Sequence, residues 1–353
     1  MTLIASDAEA LIERRGEAGI IVLNRPKALN ALTLNMVRLI AAALDAWEAD
    51  PQVSRIVIRG AGEKAFCAGG DVRHLYELGR AGDHESQLTF WREEYRLDRR
   101  IKTYPKPIVA LIDGIVMGGG VGIGINALRR VVGERFSFAM PEVGIGLFPD
   151  VGAAFFLPRL RHRMGGYFAL TGLRATAGDA LAVGLAETFV VSSSMDALAD
   201  ALQGEASVET VLARYASPPP PSALARDAEA IGSCFSRESV EAILGALAKA
   251  EGDGLAFAAP TRAAMSGKSP TSQAIALRQM QLGAGIDFDE ALLMDFRIVS
   301  RVCRGHDFYE GVRALIIDKD NKPQWSPAPS EAEVDSYFQP LGDDELTFPT
   351  TAR

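Results

Sequence analysis

The chain has 353 residues, of which 48% are hydrophobic, and this is enough to bury a core without help from disulfides or a metal. Its net charge is −8 and its Lys and Arg residues are dispersed, which argues against duplex nucleic acid or an anionic membrane as a partner. The three cysteines are widely spaced and form no Cys-x-x-Cys pair, so they fit neither a disulfide framework nor a zinc cluster and indicate a reducing compartment.

The amino-terminal segment is rich in acidic residues. Asp7, Glu9, Glu13 and Glu17 fall within the first thirty positions, where a secretory signal or an acid-poor transit peptide would not place them. No apolar run in the sequence is as long as a membrane-spanning helix requires. We therefore expect a cytoplasmic protein without a membrane partner.

Residues 18 to about 190 alternate between short apolar runs, bounded by Gly, Pro or Asn, and segments of helical period. This alternation is typical of an α/β fold. Between the first two predicted strands, Thr33 is positioned to cap a helix that ends at Asp50 and Pro51. The predicted strands are 19–23, 53–59 and 107–112.

Four consecutive prolines interrupt the chain between Ser217 and Ser222. They cannot continue a helix or a sheet, because proline fixes φ and removes a backbone donor. We interpret residues 217–222 as a stiff connector between a domain of residues 1–216 and a mostly helical region of residues 223–353. Helical period in the second region is clear at 240–250 and 272–282.

Several common catalytic motifs are missing from the sequence. The glycines at 118–124 do not give Gly-x-Gly-x-x-Gly, and Gly267-Lys-Ser269 lacks the upstream glycine of a phosphate loop. There is no Gly-x-Ser-x-Gly elbow, and the four histidines lie far apart without metal-ligand spacing. Dinucleotide-binding, phosphate-loop, serine-triad and zinc enzymes are therefore disfavoured, and no metal is expected.

Two glycine-containing loops, Gly60–Asp71 and the one around Gly118–Gly120, each follow a strand and precede a helix-like segment. Unbonded N–H groups at a helix start carry positive partial charge, and glycine lets a ligand approach them closely. Two such loops could hold one oxygen as an oxyanion hole. The other interpretation, tight turns between strand and helix, stays open.

Glu142 and Asp150 are the only charged residues in the apolar stretch 136–152. An apolar environment raises a carboxyl pKa toward the range in which the group can transfer protons, so we predict catalytic roles for both. For Asp150, a cap on a helix beginning at Val151 is a second interpretation. Glu94 lies at the edge of the apolar stripe of a predicted helix and is either a site residue or a solvated charge.

Together, these loops and acids resemble in order and spacing the crotonase (enoyl-CoA hydratase/isomerase) superfamily of acyl-CoA enzymes. One branch, the 3-hydroxyisobutyryl-CoA hydrolases, is especially similar, and that similarity covers nearly the whole chain. The segments that carry it are Asn24-Arg-Pro-Lys-Ala-Leu-Asn30, Met117-Gly-Gly-Gly-Val-Gly122, Ala139-Met-Pro-Glu142, Gly146-Leu-Phe-Pro-Asp-Val-Gly152 and His306–Asp320.

The resemblance implies a crotonase-like spiral of repeated strand-strand-helix units, with CoA threading between the glycine loops, and a C-terminal helical region that often mediates homo-oligomers. It implies hydrolysis of a small 3-hydroxyacyl-CoA, a place in valine catabolism, and no cofactor beyond the CoA of the substrate. By the same resemblance, the amides of Gly70 and Gly119 hold the thioester oxygen and Glu142 is the nucleophile or base. Asp150 and Glu94 would bind near the acyl group.

Four further residues on the side of the first glycine loop have predicted roles. We expect Ala68 and Lys27 to contact the substrate. Lys27 and Lys64 could meet CoA phosphates, and solvated surface lysines are the other interpretation. Cys67 is interpreted as a small buried residue.

Enoyl-CoA hydratases of this superfamily carry a first glutamate at the position of Gly122, opposite the acid that matches Glu142. Its loss impairs addition of water by two carboxylates, whereas an isomerase needs only the second acid. Asp150 could hydrogen-bond a substrate 3-hydroxyl, which favours the hydrolase. An isomerase or hydratase stays open as the alternative, as does a non-catalytic CoA-binding scaffold, because a fold alone does not establish chemistry.

Overall fold

A computed structural model describes residues 8–348. The strands are β1 Ala10–Arg15, β2 Ala18–Leu23, β3 Arg55–Gly60, β4 Ala65–Cys67, β5 Ile108–Ile112, β6 Ile115–Met117, β7 Arg129–Val132, β8 Ser137–Ala139 and β9 Thr188–Phe189. The helices of the first half are α1 Leu34–Glu48, α2 Val72–Arg80, α3 His84–Lys102, α4 Gly119–Ile125, α5 Ala153–Phe156, α6 Gly165–Thr171 and α7 Ala177–Val183. Those of the second half are α8 Met195–Ala201, α9 Val208–Tyr215, α10 Ala228–Cys234, α11 Val240–Gly252, α12 Ala258–Ser266, α13 Pro270–Gly283, α14 Phe288–Val302, α15 His306–Val312 and α16 Glu331–Tyr337.

The described residues form two compact units that interleave along the chain. Unit 1 contains residues up to Asp71, then Leu97–Ala139 and Arg174–Arg226, and unit 2 contains Val72–Arg96, Met140–Leu173 and the residues from Asp227 onward. The proline-rich segment 217–222 lies inside unit 1, where the Ser222 hydroxyl donates to Asp179 Oδ1 (2.7 Å). The division into consecutive domains 1–216 and 223–353 remains a prediction from the sequence.

Unit 1 is built on a six-stranded sheet in the order β1-β2-β3-β5-β7-β9. The β1–β2 pair is antiparallel and every other pair in this sheet is parallel. All five residues of β5 are buried, as are Arg55–Ile58 of β3, which is the pattern of parallel strands covered on both faces. The strands predicted at 19–23, 53–59 and 107–112 are confirmed as β2, β3 and β5.

A second sheet of unit 1 contains three short parallel strands in the order β4-β6-β8. Each has three residues, and β4 and β6 lie within the segments that the sequence presents only as glycine loops. Because the strands are parallel, their carboxyl ends meet at one edge of the sheet. The loops that follow β4 and β6 therefore leave the sheet side by side.

Helix α1 begins where the sequence predicts. The Thr33 side chain accepts a hydrogen bond from the Met36 amide (3.1 Å), and the helix ends at Glu48, two residues before Asp50. The helix predicted to run from the second glycine loop to about Arg130 is too long. Helix α4 ends at Ile125 because Arg129 already pairs with Val109 in the large sheet.

Unit 2 is helical. It contains α2, the first part of α3, α5, α6 and all helices from α10 to α16. The helices predicted at 240–250 and 272–282 are confirmed as α11 and α13. Between residues 8 and 348, no helix combines the length and the apolar character needed to cross a membrane.

Candidate active site

The two glycine loops of unit 1 approach each other closely. Pairing of β4 with β6 sets Ala65 opposite Ile115. A Cβ on Gly120 would lie 2.2 Å from the Cys67 carbonyl oxygen, and a Cβ on Gly69 would lie 3.6 Å from the Met117 carbonyl oxygen. A side chain at position 120 would push the loops apart, so glycine is required there for the approach.

The amides of Gly70 and Gly119 can bind an external oxygen. Across residues 8–348, neither of these N–H groups donates a hydrogen bond to another residue. Their neighbours are used differently: the Ala68 amide donates to the Leu29 carbonyl (3.0 Å), and the Gly69 carbonyl accepts from the Leu32 amide (2.8 Å). Two unbonded amides on adjacent loops have the chemistry of an oxyanion hole.

Glu142 opens a one-turn 3-10 helix, Glu142–Gly144, in unit 2 and follows β8 by three residues. It is 4% exposed. Its carbonyl accepts from the Ile145 (2.9 Å) and Leu147 (3.0 Å) amides, and the next carbonyl, of Val143, accepts from the Ser269 amide (3.1 Å). These bonds fix the backbone from which the buried carboxyl extends.

Asp150 is a buried carboxyl with a tyrosine partner. The Tyr95 hydroxyl donates to Asp150 Oδ2 (2.8 Å), and burial raises the pKa of Asp150 from 3.8 to about 6, although the Tyr95 bond opposes the rise. The interpretation of Asp150 as a cap on a helix beginning at Val151 is wrong. Helix α5 begins at Ala153 and its N-cap is Gly152.

Glu94 is buried and belongs to the same group of acids in unit 2. It is 2% exposed, so its interpretation as a solvated helix charge is wrong. Burial, and then repulsion by Asp150, raise the pKa of Glu94 well above its usual value. Its Oε1 atom has no hydrogen-bond partner within the described part of the chain. A buried carboxyl oxygen in this state is suited to a polar ligand group.

The first-loop residues of unit 1 divide into buried and exposed ones. Cys67 is buried, which confirms its interpretation as a filler, and Ala68 is half-buried with its amide bonded to the Leu29 carbonyl. Lys27 and Lys64 are exposed, as either solvated or phosphate-binding lysines would be.

The sequence of the chain is similar to that of a known enzyme family. A family model for enoyl-CoA hydratase/isomerase matches residues 18–339. The chain belongs to this family. Among curated members, the protein named 3-hydroxyisobutyryl-CoA hydrolase, mitochondrial, of Danio rerio is 46% identical, with 96% of this chain and 91% of the relative covered. The Homo sapiens protein of the same name is 43% identical over the same shares.

Solved structures of the family confirm the predicted crotonase-like α/β fold. A structure titled carnitinyl-CoA dehydratase, from Mycobacterium thermoresistibile, has a TM-score of 0.91 at 37% identity and covers 97% of this chain and 99% of its own. One titled enoyl-CoA hydratase, from Rhodobacter sphaeroides 2.4.1, has a TM-score of 0.90 at 41% identity and covers 97% and 100%. Family membership thus rests on sequence and on structure.

The predicted cytoplasmic location is wrong, because family members of this similarity carry mitochondrial names. Of the acids behind that prediction, Asp7 lies outside the described residues, and Glu9 and Glu17 form contacts within unit 1. Glu17 pairs with Arg55 (2.9 Å), and Glu9 accepts from the Thr33 hydroxyl (2.8 Å). Acidic residues in this segment therefore do not indicate the cellular location of the protein.

Sequence reasoning missed three polar residues of unit 2 that surround Asp150: Tyr95, Gln279 and Asp295. All three side chains are fully buried. A signal for Asp295 was available, because it stands on the buried face of α14 in register with apolar residues of the same helix. An acid at such a position needs a buried partner.

The raised pKa of Asp150 predicts a pH-dependent stability difference. A carboxyl whose pKa is higher in the folded state contributes stability that is complete below pH 3.8 and is lost as the pH rises through about 6. Asp150→Asn keeps an acceptor for the Tyr95 hydroxyl and cannot ionise. We expect it to gain about 3 kcal/mol relative to wild type between about pH 4 and pH 7, since one pKa unit is worth about 1.4 kcal/mol.

Thermal or urea unfolding of both proteins across that pH range measures the difference. Asp335→Asn, at an acid whose side chain is about half exposed, is the control and should show little change. A difference between Asp150→Asn and wild type that stays constant with pH would contradict the raised pKa.

Proposed function

We propose that the protein hydrolyses the thioester of 3-hydroxyisobutyryl-CoA to the free hydroxy acid and CoA. The observation that carries the proposal is the similarity, over 96% of the chain, to relatives named for this hydrolysis. The activity predicted from the sequence, an acyl-CoA thioester hydrolase, is thereby confirmed.

In this reaction, the amides of Gly70 and Gly119 stabilise negative charge on the thioester carbonyl oxygen. Removal of one such donor costs about 2.7–4 kcal/mol of transition-state stabilisation in enzymes where it was measured. Glu142 either attacks the carbonyl carbon or removes a proton from the water that does so. The C–S bond breaks, water supplies the new hydroxyl of the acid, and its proton goes to the CoA sulfur.

Asp150 and Glu94 are proposed to bind the 3-hydroxyl of the acyl group. Ionised Asp150 accepts a hydrogen bond from that hydroxyl, and an acyl chain without the hydroxyl leaves a buried acceptor unpaired. Two observations support this role: both acids are buried, and Asp150 accepts a hydrogen bond from Tyr95. The reaction itself calls for no cofactor beyond the CoA carried by the substrate.

The CoA moiety is proposed to meet Ala68 through its carbonyl and Lys27 and Lys64 through their ammonium groups. Exposed lysines suit phosphate groups, which supports this assignment. A place in valine catabolism follows from the acyl group, and assembly into a homo-oligomer through the C-terminal helices is proposed on the resemblance alone.

A hydratase or dehydratase is the second candidate, because the two solved structures carry such titles. Gly122 argues against it. A Cβ at this position would lie 2.3 Å from Asp98 Oδ1 of the same unit, so a glutamate here would require Asp98 to move. A hydratase adds water with two opposed carboxylates, and this protein lacks the first of them.

The deciding experiment follows thiol release and alkene absorbance in parallel with purified protein. We expect 3-hydroxyisobutyryl-CoA to release CoA thiol, and isobutyryl-CoA, the matched substrate without the hydroxyl, to release it at least about 100-fold more slowly. Alkene change without thiol release would favour the hydratase or isomerase. CoA binding without either signal would support the non-catalytic CoA-binding scaffold.

A further inference from the structure

The loop that carries Asp150 adopts an unfavourable backbone conformation. Val151 has φ +54° and Gly152 has φ +81°, so both occupy the left-handed region. For a β-branched residue such as valine this is a true outlier, and it persists only where surrounding contacts hold it. The loop must therefore be held from outside itself.

Two fully buried side chains of the C-terminal helices hold this loop at both ends. Asp295 Oδ2, on α14, accepts a hydrogen bond from the Gly152 amide (2.8 Å). Gln279 Nε2, on α13, donates to the Pro149 carbonyl (3.1 Å). The same Nε2 donates to Asp295 Oδ1 (3.0 Å), so the two side chains are joined to each other.

We infer that Asp295 and Gln279 form a clamp that fixes the loop 149–152, and that both are positioning residues for the Asp150 carboxyl. The clamp flanks Asp150 on each side, at Pro149 and at Gly152. With the loop fixed, Asp150 stays against the Tyr95 hydroxyl, and the orientation of its second oxygen is set. The C-terminal helices thus determine how selectively the enzyme recognises the hydroxyl of its substrate.

Burial and the nearby Asp150 raise the pKa of Asp295 well above its usual value. Both oxygens of Asp295 accept hydrogen bonds, Oδ2 from the Gly152 amide and Oδ1 from Gln279 Nε2. Asp295→Asn keeps an oxygen that can accept from the Gly152 amide, whereas Asp295→Ala removes it. The asparagine variant keeps this acceptor and loses the one for Gln279, so it should rescue part of what the alanine variant loses.

The clamp itself can be tested without any enzymatic activity. Hydrogen exchange measured by mass spectrometry on peptides covering residues 149–156 should be at least about 10-fold faster in Asp295→Ala than in wild type. Gln279→Leu, which loses the bond to Pro149, is the second variant and should loosen the same peptides. Ser300→Ala is the matched control, because it removes a buried hydrogen bond to Phe296 within the same helix. Unchanged exchange in folded Asp295→Ala and Gln279→Leu would overturn the clamp.

The positioning role rests on the proposed function and needs a kinetic test. We expect Asp295→Ala to lower the kcat/KM ratio between 3-hydroxyisobutyryl-CoA and isobutyryl-CoA by about 10-fold or more, in the same direction as Asp150→Asn. Asp295→Asn should retain more of the ratio than Asp295→Ala does, and Ser300→Ala should retain all of it. Faster exchange in Asp295→Ala with an unchanged ratio would overturn positioning. A wild type that hydrolyses neither substrate would overturn the proposed function and leave the exchange result standing.

Discussion

Replacing Glu142 by Gln is expected to lower kcat for thioester hydrolysis by about 100- to 10,000-fold, the range that loss of a general acid or base usually produces. Glutamine keeps the size of the side chain, and the main-chain bonds that fix this turn are unaffected. CoA binding should therefore stay within a few-fold of wild type. Steady-state kinetics and calorimetry with CoA measure the two effects.

Glu77→Gln is the matched control, because Glu77 is an exposed acid on α2 of the same unit. A single turnover in oxygen-18 water then separates the two roles of Glu142 in the wild type. Heavy oxygen in the Glu142 carboxyl identifies the nucleophile, because water that opens the acyl-glutamyl anhydride at the glutamyl carbonyl leaves the label there, whereas a general base never gains it. Near-normal turnover in Glu142→Gln would refute its assignment altogether.

Gly120→Ala is expected to be the second severe change. Its new Cβ would lie 2.2 Å from the Cys67 carbonyl oxygen and 2.9 Å from the carbonyl carbon, and backbone atoms cannot move aside cheaply. Overpacking of this kind costs about 1–3 kcal/mol, and a displacement of about 1 Å at a catalytic group costs about 100-fold in rate. We expect both a lower melting temperature and a lower kcat.

The matched control for Gly120→Ala is Gly245→Ala on α11, where a Cβ meets nothing within 4 Å. Alanine inside a helix is favoured over glycine, so this control should be neutral or slightly stabilising. If Gly120→Ala melts and turns over like the wild type, the close approach of the two loops is refuted.

Local sequence patterns accounted for much of the fold. Val53–Arg59 contains a continuous apolar run and Thr33 offers a side-chain acceptor before a helical stripe, so β3 and α1 follow from neighbouring residues alone. The strands β4, β6 and β8 did not follow. Three residues are too few to show a period, and these strands form only because each pairs with another that is distant in sequence.

The same distinction between local and distant contacts applies to the site. Glu142 and Asp150 could be identified because charge in an apolar stretch is visible locally. Helical register marks Asp295 as a buried acid, but its contact with Gly152 and the contact of Tyr95 with Asp150 span 143 and 55 positions of the chain and have no local signal. The burial of Glu94 likewise depends on helices that cannot be predicted from the residues next to it in the sequence.

The interleaving of the two units has a consequence for how the protein emerges from the ribosome. Every segment of unit 1 has been synthesised once Arg226 is added, whereas the early segments of unit 2 still lack α10 to α16. Trp91 and Phe168, both buried in the finished protein, belong to those waiting segments. Trp91, for example, packs against Phe308, which is synthesised late, so a holdase that shields the nascent chain would matter most before that point.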